Sequence, residues 1–465
     1  MVKKNDFPST FTIDNFSSTA TLANNDQIKS PNGSSKANLH EEYNPYDNRS
    51  LEHPNSFLGA LIHIIKASLG LGILSIPRAF RTAGLVVGFL GTVIIGAICT
   101  HTVHILVRAS QKVCVKVKTP SLDFAETAEE VFKTGPAFLR GWSSFARNSV
   151  DIALAATHLL GLSVYVVFIA ETLLKLLAPY HPPIAEHYTE WALYVKLIIL
   201  LPLILCCQIK ELKHLVPFSF IANVTMIIAF SITLYYMILE MKYADINDRN
   251  LATNISAIPS FFSTVIFAME GIGTVMPLEN SMIDGQFIGC PGVLNFGMTI
   301  VTSLFVGMGF CGYYSFGEAT EVTITQNLPS DEILAQIVQG CISASVFFSF
   351  MLIFYVPIDI CWRKIHHRIS KEKHNLAHIL IRTAFVIVIV TVAAAAGTHL
   401  DTLIQLVGAV CLSTLGILMP AVIDIVINWN DWGIWDWSLY KNFLLIICSL
   451  FGAICGSYFA LEKFF

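Results

Sequence analysis

Residues 59–77 read Gly59-Ala-Leu-Ile-His63-Ile-Ile-Lys66-Ala-Ser68-Leu-Gly70-Leu-Gly72-Ile-Leu-Ser75-Ile-Pro77. Residues 263–280 read Ser263-Thr264-Val-Ile-Phe267-Ala-Met-Glu270-Gly271-Ile-Gly273-Thr274-Val-Met-Pro277-Leu-Glu279-Asn280. Both are apolar stretches of membrane-crossing length, and both carry Gly-x-Gly in the middle with a proline shortly beyond. Glycine costs a helix about 1 kcal/mol relative to alanine, and proline about 3. Two glycines and a proline within a turn and a half predict that each helix unwinds there. Unwound backbone at membrane depth is tolerated only where it lines a cavity. Glycine in a span also permits close helix packing, which is the competing explanation for a single such stretch. Two of them at matching positions favour the cavity.

The surroundings make these stretches membrane spans. The chain has 465 residues, 54% hydrophobic and only 13% charged. Soluble domains are nearer about 25% charged, and mean hydropathy here is +0.63. A soluble enzyme with a polar surface is excluded. A net charge of −4 with no basic stripe excludes a nucleic-acid binder. Eleven apolar segments fall at 57–80, 83–107, 149–174, 191–208, 214–239, 258–278, 292–316, 334–361, 380–397, 402–427 and 440–460. None alternates with period two, as the strands of a membrane barrel would. The expected fold is therefore all-α and polytopic, with eleven transmembrane helices in residues 51–465. Residues 1–50, rich in Ser, Asn, Thr, Asp and Lys, read as a disordered cytosolic tail. The start lacks an apolar core, so the first span is expected to act as the insertion signal.

Lysine and arginine set the orientation. With the N-terminus in the cytosol, 21 of the 29 Lys and Arg fall inside and six outside. The C-terminus is then extracellular or lumenal. Asn254-Ile-Ser256 lies on the outer side, as a glycosylation sequon should. The segment 109–148, mixed in charge, reads as amphipathic interfacial helix. No Cys/His spacing fits zinc, and no phosphate-binding loop of the GxxxxGK[ST] type is present, so no cofactor is expected.

The two interrupted stretches are spans 1 and 6, five apart, with an odd number of spans per half. The second half is then an inverted copy of the first. Paired interruptions in corresponding positions point to a transporter's midplane site, where free N–H groups hold a carboxylate and free carbonyls hold a cation.

Span 1 (IHIIKASLGLGILSIP), span 6 (AMEGIGTVMPLENSM) and the exit of span 7 (GYYSFGEATEVTITQNLP) resemble the proton-coupled amino acid transporters. These are solute carrier family 36, in the amino acid/auxin permease branch, and its invertebrate members are the most similar. The resemblance covers about residues 51–462. It implies a five-plus-five inverted-repeat, LeuT-like fold and carriage of small neutral amino acids such as proline, glycine and alanine, coupled in many members to protons. A pH-independent facilitative carrier and an amino-acid-sensing transceptor are alternatives of the same fold. Either the plasma membrane or the lysosomal membrane fits the orientation. Members commonly have a hydroxyl residue between the first two glycines, where this chain has Leu71, which narrows the pocket or shifts substrate choice.

An ionisable residue within a span is a functional candidate. His63 lies two turns before Gly70, its ordinary titration range suits proton exchange, and it matches the family's coupling histidine. Glu270 abuts the span 6 break and fits three roles: proton acceptor, cation partner, or anchor for broken backbone. Ser68, Gly70, Leu71, Gly72, Thr157, Phe267, Gly271 and Gly273 are the expected substrate contacts, Phe267 as a gate. The family usually has glutamine where this chain has His158, which adds a second titrating group. Arg147 and Asp151, one turn apart, most simply pair with each other. Lys66 either snorkels or meets a carboxylate of another helix.

Overall fold

The protein is described by a computed structural model, covering residues 43–49, 51, 54–181, 183–209, 215–269, 271–282, 285–429 and 436–462. The tail through residue 42 and Glu270 lie outside the described residues. Among those residues every regular element is helical. Ten helices are long and apolar enough to cross a membrane, and an eleventh crossing comes from a helix pair bent by 55°.

That pair is span 1: α1 (Phe57–Ser68) and α2 (Leu71–Ala83). Span 2 is α3 (Leu85–Val117), followed by α4 (Phe124–Thr134) across the end of the bundle. Spans 3, 4 and 5 are α5 (Ser143–Leu177), α6 (Tyr188–Cys207) and α7 (Val216–Met241). Span 6 is α8 (Ile258–Ala268) plus α9 (Ile272–Asn280). Spans 7, 8 and 9 are α10 (Val293–Phe316), α11 (Ile333–Ile365) and α12 (His374–Ala395). Span 10 joins α13 (Leu400–Leu406) to α14 (Met419–Ile427) through π-helical turns at Val407–Leu412 and Thr414–Leu418. Span 11 is α15 (Trp437–Glu462).

The packing follows the repeat. Within the first four pairs, each span packs on the one five later: α2 on α8, α3 on α10, α5 on α11 and α6 on α12. Helices from spans 1, 2, 6 and 7 thus form one group, and those from spans 3, 4, 8 and 9 another. The breaks in spans 1 and 6 lie where the two groups meet.

The breaks are shorter than the expected turn and a half. In span 1 only Leu69 and Gly70 leave the helix. Pro77 stays inside α2, buried, with the Gly312 backbone packed on its ring. Packing on both flanks outweighs the single backbone hydrogen bond that a proline removes. Gly72 is helical too. A Cβ placed there would lie 2.5 Å from Ala268 Cα, so this glycine lets α2 and α8 touch. Close packing, the competing explanation above, is therefore what Gly72 serves. Gly72→Ala is expected to cost about 1–3 kcal/mol through overpacking. A lowered Tm in detergent checks this, with Gly271→Ala, whose Cβ meets nothing nearer than 3.8 Å, as the tolerated control.

Three other expectations change. α3 runs ten residues past its expected end at 107, because Arg108–Val117 continues as helix onto α4, where Thr127 Oγ1 donates to Ser110 Oγ at 3.1 Å. Only Phe124–Thr134 of the 109–148 segment is a separate amphipathic helix, fixed at its start by a reciprocal Asp123–Glu126 capping box. Arg147 and Asp151 do not pair with each other. Arg147 meets Glu129 of α4 at 2.6 Å, and Asp151 meets Lys364 at the end of α11 at 2.8 Å. Tertiary partners with better reach displace the one-turn neighbour. Burial raises the Glu129 carboxyl, but hydrogen bonds from Lys133 and Arg147 outweigh it and hold the group below the usual range.

Tyr46–Asn48 form a single helical turn docked against the bundle. Arg49 lies on the Tyr46 ring, 4.4 Å from its centroid. Its guanidinium donates to the Glu279 carboxylate at 2.9 Å and to the carbonyls of Glu279, Met282 and Pro120 at 2.9, 2.8 and 3.0 Å. The Tyr46 hydroxyl donates to the other Glu279 oxygen at 2.8 Å. Burial, then the neighbouring Glu279 carboxylate, push the Tyr46 phenol up, so it remains a donor.

Candidate functional site

A cavity of about 650 Å³ starts at the two breaks and runs toward the face that carries the N-terminal segment. Its walls are α1, α5, α7, α9 and α11, with Leu71 at the start of α2 and Leu412 and Leu415 of span 10. Six of the expected site residues line it: His63, Gly70, Leu71, Thr157, Gly271 and Gly273. Ser68, the last residue of α1, is buried and faces instead a second space of about 50 Å³, lined also by Gly271 and by residues of α3, α9 and α10. Gly72 and Phe267 line neither. Phe267 is 1% exposed and packs its Cβ on Gly408 of span 10, within the closed part of the bundle. Glu270 falls in the undescribed step between α8 and α9. Asn254 is exposed at the loop preceding α8.

The local geometry follows from the chain's interruptions. α9 begins after Gly271 with no side chain capping it. Of its first-turn N–H groups, Thr274 N–H already binds the Gly271 carbonyl at 3.0 Å. The remaining donors and the positive end of the helix suit an anion. α2 likewise starts uncapped at Gly70, whose backbone lies near the Tyr165 hydroxyl of α5. α1 and α8 end at the same level with carbonyls outward, which suits a cation. A zwitterion therefore finds complementary ends within one cavity.

Side chains on uninterrupted helices complete the walls. Ser219, Asn223, Met226 and Phe230 of α7 line the cavity at helical spacing, as do Ser345, Ser349 and Leu352 of α11. Sequence reasoning passed over these. The available signal was polar residues four apart in otherwise apolar spans. Among the described residues Lys66 meets no carboxylate: its ammonium donates to Ser219 Oγ at 3.0 Å, linking α1 to α7. His158 and Thr157 are presented side by side. Thr157 Oγ1 donates to the Ala153 carbonyl at 2.7 Å, and His158 Nδ1 to that of Leu154 at 2.7 Å.

Beyond the breaks the structure is shut toward the opposite face. α2 touches α8 at Gly72 and Ala268. Gly408 in the π-helical part of span 10 is pressed on the Ser263 carbonyl of α8. Arg78 of α2 reaches Asp401 of α13 at 3.7 Å, and Arg81 donates to the Thr320 carbonyl at 2.9 Å. On the cavity's own side, Asn55 binds Ser281 through backbone and side chain at 2.9 and 2.8 Å, holding the entry to α1 against the exit of α9.

The family described as transmembrane amino acid transporter protein matches residues 53–462. The proton-coupled amino acid transporter-like protein pathetic of Drosophila melanogaster is 36% identical over 426 residues, 90% of this chain and 88% of its own. The amino acid transporter ANT1 of Arabidopsis thaliana is 25% identical over 420 residues, 87% of this chain and 91% of its own. Among solved structures, MhsT in complex with L-phenylalanine superposes with a TM-score of 0.51 at 14% identity, covering 88% of this chain and all of that one. That likeness shows the LeuT-like fold that the family resemblance implies. The chain belongs to the transmembrane amino acid transporter family: it is an integral membrane transporter of amino acids and not an enzyme.

Proposed function

We propose that this protein carries small neutral amino acids, of the proline, glycine and alanine type, across a membrane together with protons, by alternating access. The observation that carries the reading is the cavity at the two breaks, where helix N-termini and C-termini converge. The amino acid's carboxylate sits against the starts of α2 and α9, and its ammonium against the ends of α1 and α8. Gly271 borders the ligand's main chain, Leu71 borders the side-chain space, and Thr157 supplies a hydroxyl. The name of the Drosophila relative supports the proton. His63, on the cavity wall of α1, takes the proton in this reading, with Glu270 as the second candidate group.

The distribution of Lys and Arg supports a cytosolic N-terminus and an extracellular or lumenal C-terminus. The plasma membrane and the lysosomal membrane both satisfy that orientation. The cavity then faces the cytosol. A proton moving through 100 mV contributes about 2.3 kcal/mol, and one pH unit about 1.4. At about 1.4 kcal/mol per tenfold, a single proton supports accumulation of a few hundred-fold.

The test is uptake in voltage-clamped oocytes. Inward current with proline, glycine or alanine that grows as external pH falls supports the reading. Electroneutral, pH-independent flux replaces it with a facilitative carrier. Binding without flux replaces it with an amino-acid-sensing transceptor. His63→Ala is expected to flatten the pH dependence of the maximal current, and an unchanged profile removes His63 from the coupling role.

A further inference from the structure

His158 of α5 is a buried titratable side chain to which the reading above gives no task. It is 9% exposed and lies on the cavity wall. Its Nδ1 is 2.7 Å from the Leu154 carbonyl. A carbonyl only accepts, so Nδ1 keeps its hydrogen and the titrating atom is Nε2. Among the described residues Nε2 has no hydrogen-bond partner. That edge of the ring faces the first turn of α9: a Cβ placed on Gly273 would lie 3.2 Å from Cε1 and 3.5 Å from Nε2. Glycine at 273 keeps the ring and the helix start at this distance without a side chain between them.

We propose that His158 is a proton-linked ligand for the substrate's carboxylate, which it holds together with the first turn of α9, so that proton and amino acid bind as a pair. The proposal rests on the amino acid reading above. The electrostatics are those of three bodies. An imidazolium and the positive end of α9 repel each other when no anion is bound. A carboxylate on the cavity side, touching both the ring edge and the helix start, attracts both, and its hydrogen bond from a charged Nε2–H is stronger than one from a neutral donor. This proton, additional to the one assigned to His63, comes from the acidic solution to the Nε2 lone pair and leaves to the neutral side when the carboxylate departs. Linkage makes the effect reciprocal: if the proton tightens the amino acid, the amino acid tightens the proton by the same factor.

The surroundings leave His158 free to answer to its ligand. His63 and Lys66 of α1, Tyr165 of its own helix and Tyr355 of α11 share the cavity. The stretches that pack on α5 at this level bring no Asp, Glu, Lys, Arg or His: 334–358 of α11, 383–396 of α12, 402–423 of span 10 and 197–207 of α6. Their titratable residues are cysteines and Tyr355. α8, α9 up to 278, and 217–239 of α7 have none of the five charged types either, and Glu270 stands between α8 and α9.

His158→Gln tests this, because glutamine keeps a donor near the same place but does not titrate. Binding of L-proline, glycine and L-alanine to the purified full-length protein is measured by calorimetry at pH 5.5 and 7.5. Proton uptake on ligand addition is followed with an indicator dye in weak buffer. Wild type is expected to bind about fivefold or more tightly at pH 5.5 and to take up protons. Prolinamide, which lacks the carboxylate, is expected to show neither effect. H158Q is expected to bind with an affinity that changes less than about twofold between the two pH values. A full wild-type ratio in H158Q overturns the role of His158 while leaving amino acid binding intact. A wild-type protein that binds none of the neutral amino acids at either pH overturns both that role and the transport reading. If H158Q is not monodisperse, G273A replaces it: its methyl pushes the ring off the helix start and is expected to reduce the pH ratio, and an undiminished ratio rejects the proposal.

Discussion

Glu279→Ala is expected to destabilise the protein by about 3–5 kcal/mol, the usual consequence of removing one member of a buried ion pair. The side chains of Arg49 and Glu279 are 3% and 2% exposed. Without the carboxylate, the Arg49 cation stays buried with only carbonyl oxygens to bind. Tyr46 and Gln111, which both donate to Glu279 Oε1, lose their acceptor. Glu279→Gln keeps an acceptor oxygen and removes the charge, so a smaller loss is expected from it. Two measurements check the prediction. The Tm in detergent falls in the order wild type, Gln, Ala. Trypsin cuts the Arg49–Ser50 bond faster in the alanine variant, because the docked turn at Tyr46–Asn48 is released. An alanine variant with wild-type Tm and wild-type cleavage would show that the cluster is decorative.

Gly271→Val is expected to lower amino acid uptake by at least about a hundredfold, equivalent to about 2.8 kcal/mol, with little loss of stability. Gly271 lines both the large cavity and the small space beyond it. Its φ of 170° is extended backbone open to any residue, and a Cβ there meets nothing nearer than Ser68 Oγ at 3.8 Å. The added side chain therefore has room to fold, and the room it takes is the room the ligand's main chain needs at the start of α9. Radiolabelled uptake into proteoliposomes, read beside the Tm, separates the two effects. Uptake within a few-fold of wild type would place the ligand elsewhere. The contrast with Gly72 is instructive, since two glycines that look alike in sequence are expected to fail in different ways.

Much of the fold was legible without coordinates, and particular residues show why. Apolar runs such as 384–397 have a single stable solution in lipid, the helix, because every backbone group must be satisfied within the segment. The positions of Gly70 and Gly271 gave the two breaks, since the backbone leaves the helix where propensity is weakest. The ends of helices were less legible. Hydropathy stops at 107, but α3 continues to Val117 because polar residues there pack on α4. The π-helical turns of span 10 had no sequence signature; Gly408, within the first of them, lies against the Ser263 carbonyl, a contact between residues far apart in the chain.

The candidate site divides in the same way. His63, Gly70, Leu71, Thr157, Gly271 and Gly273 reach one cavity because they flank the breaks or sit on the span facing them. Gly72 and Phe267 do not, because helix phase and the partner across the interface decide which side of a span a residue faces. The sequence by itself determined the number of crossings, the placement of the breaks and the family. Those depend on composition and local propensity, which are properties of short segments. Tertiary structure alone decided that Arg49 is bound by Glu279, that Lys66 meets Ser219, and that His158 faces the first turn of α9. Each of these joins residues more than a hundred positions apart, and such a meeting is set by how helices pack, not by what any one of them contains.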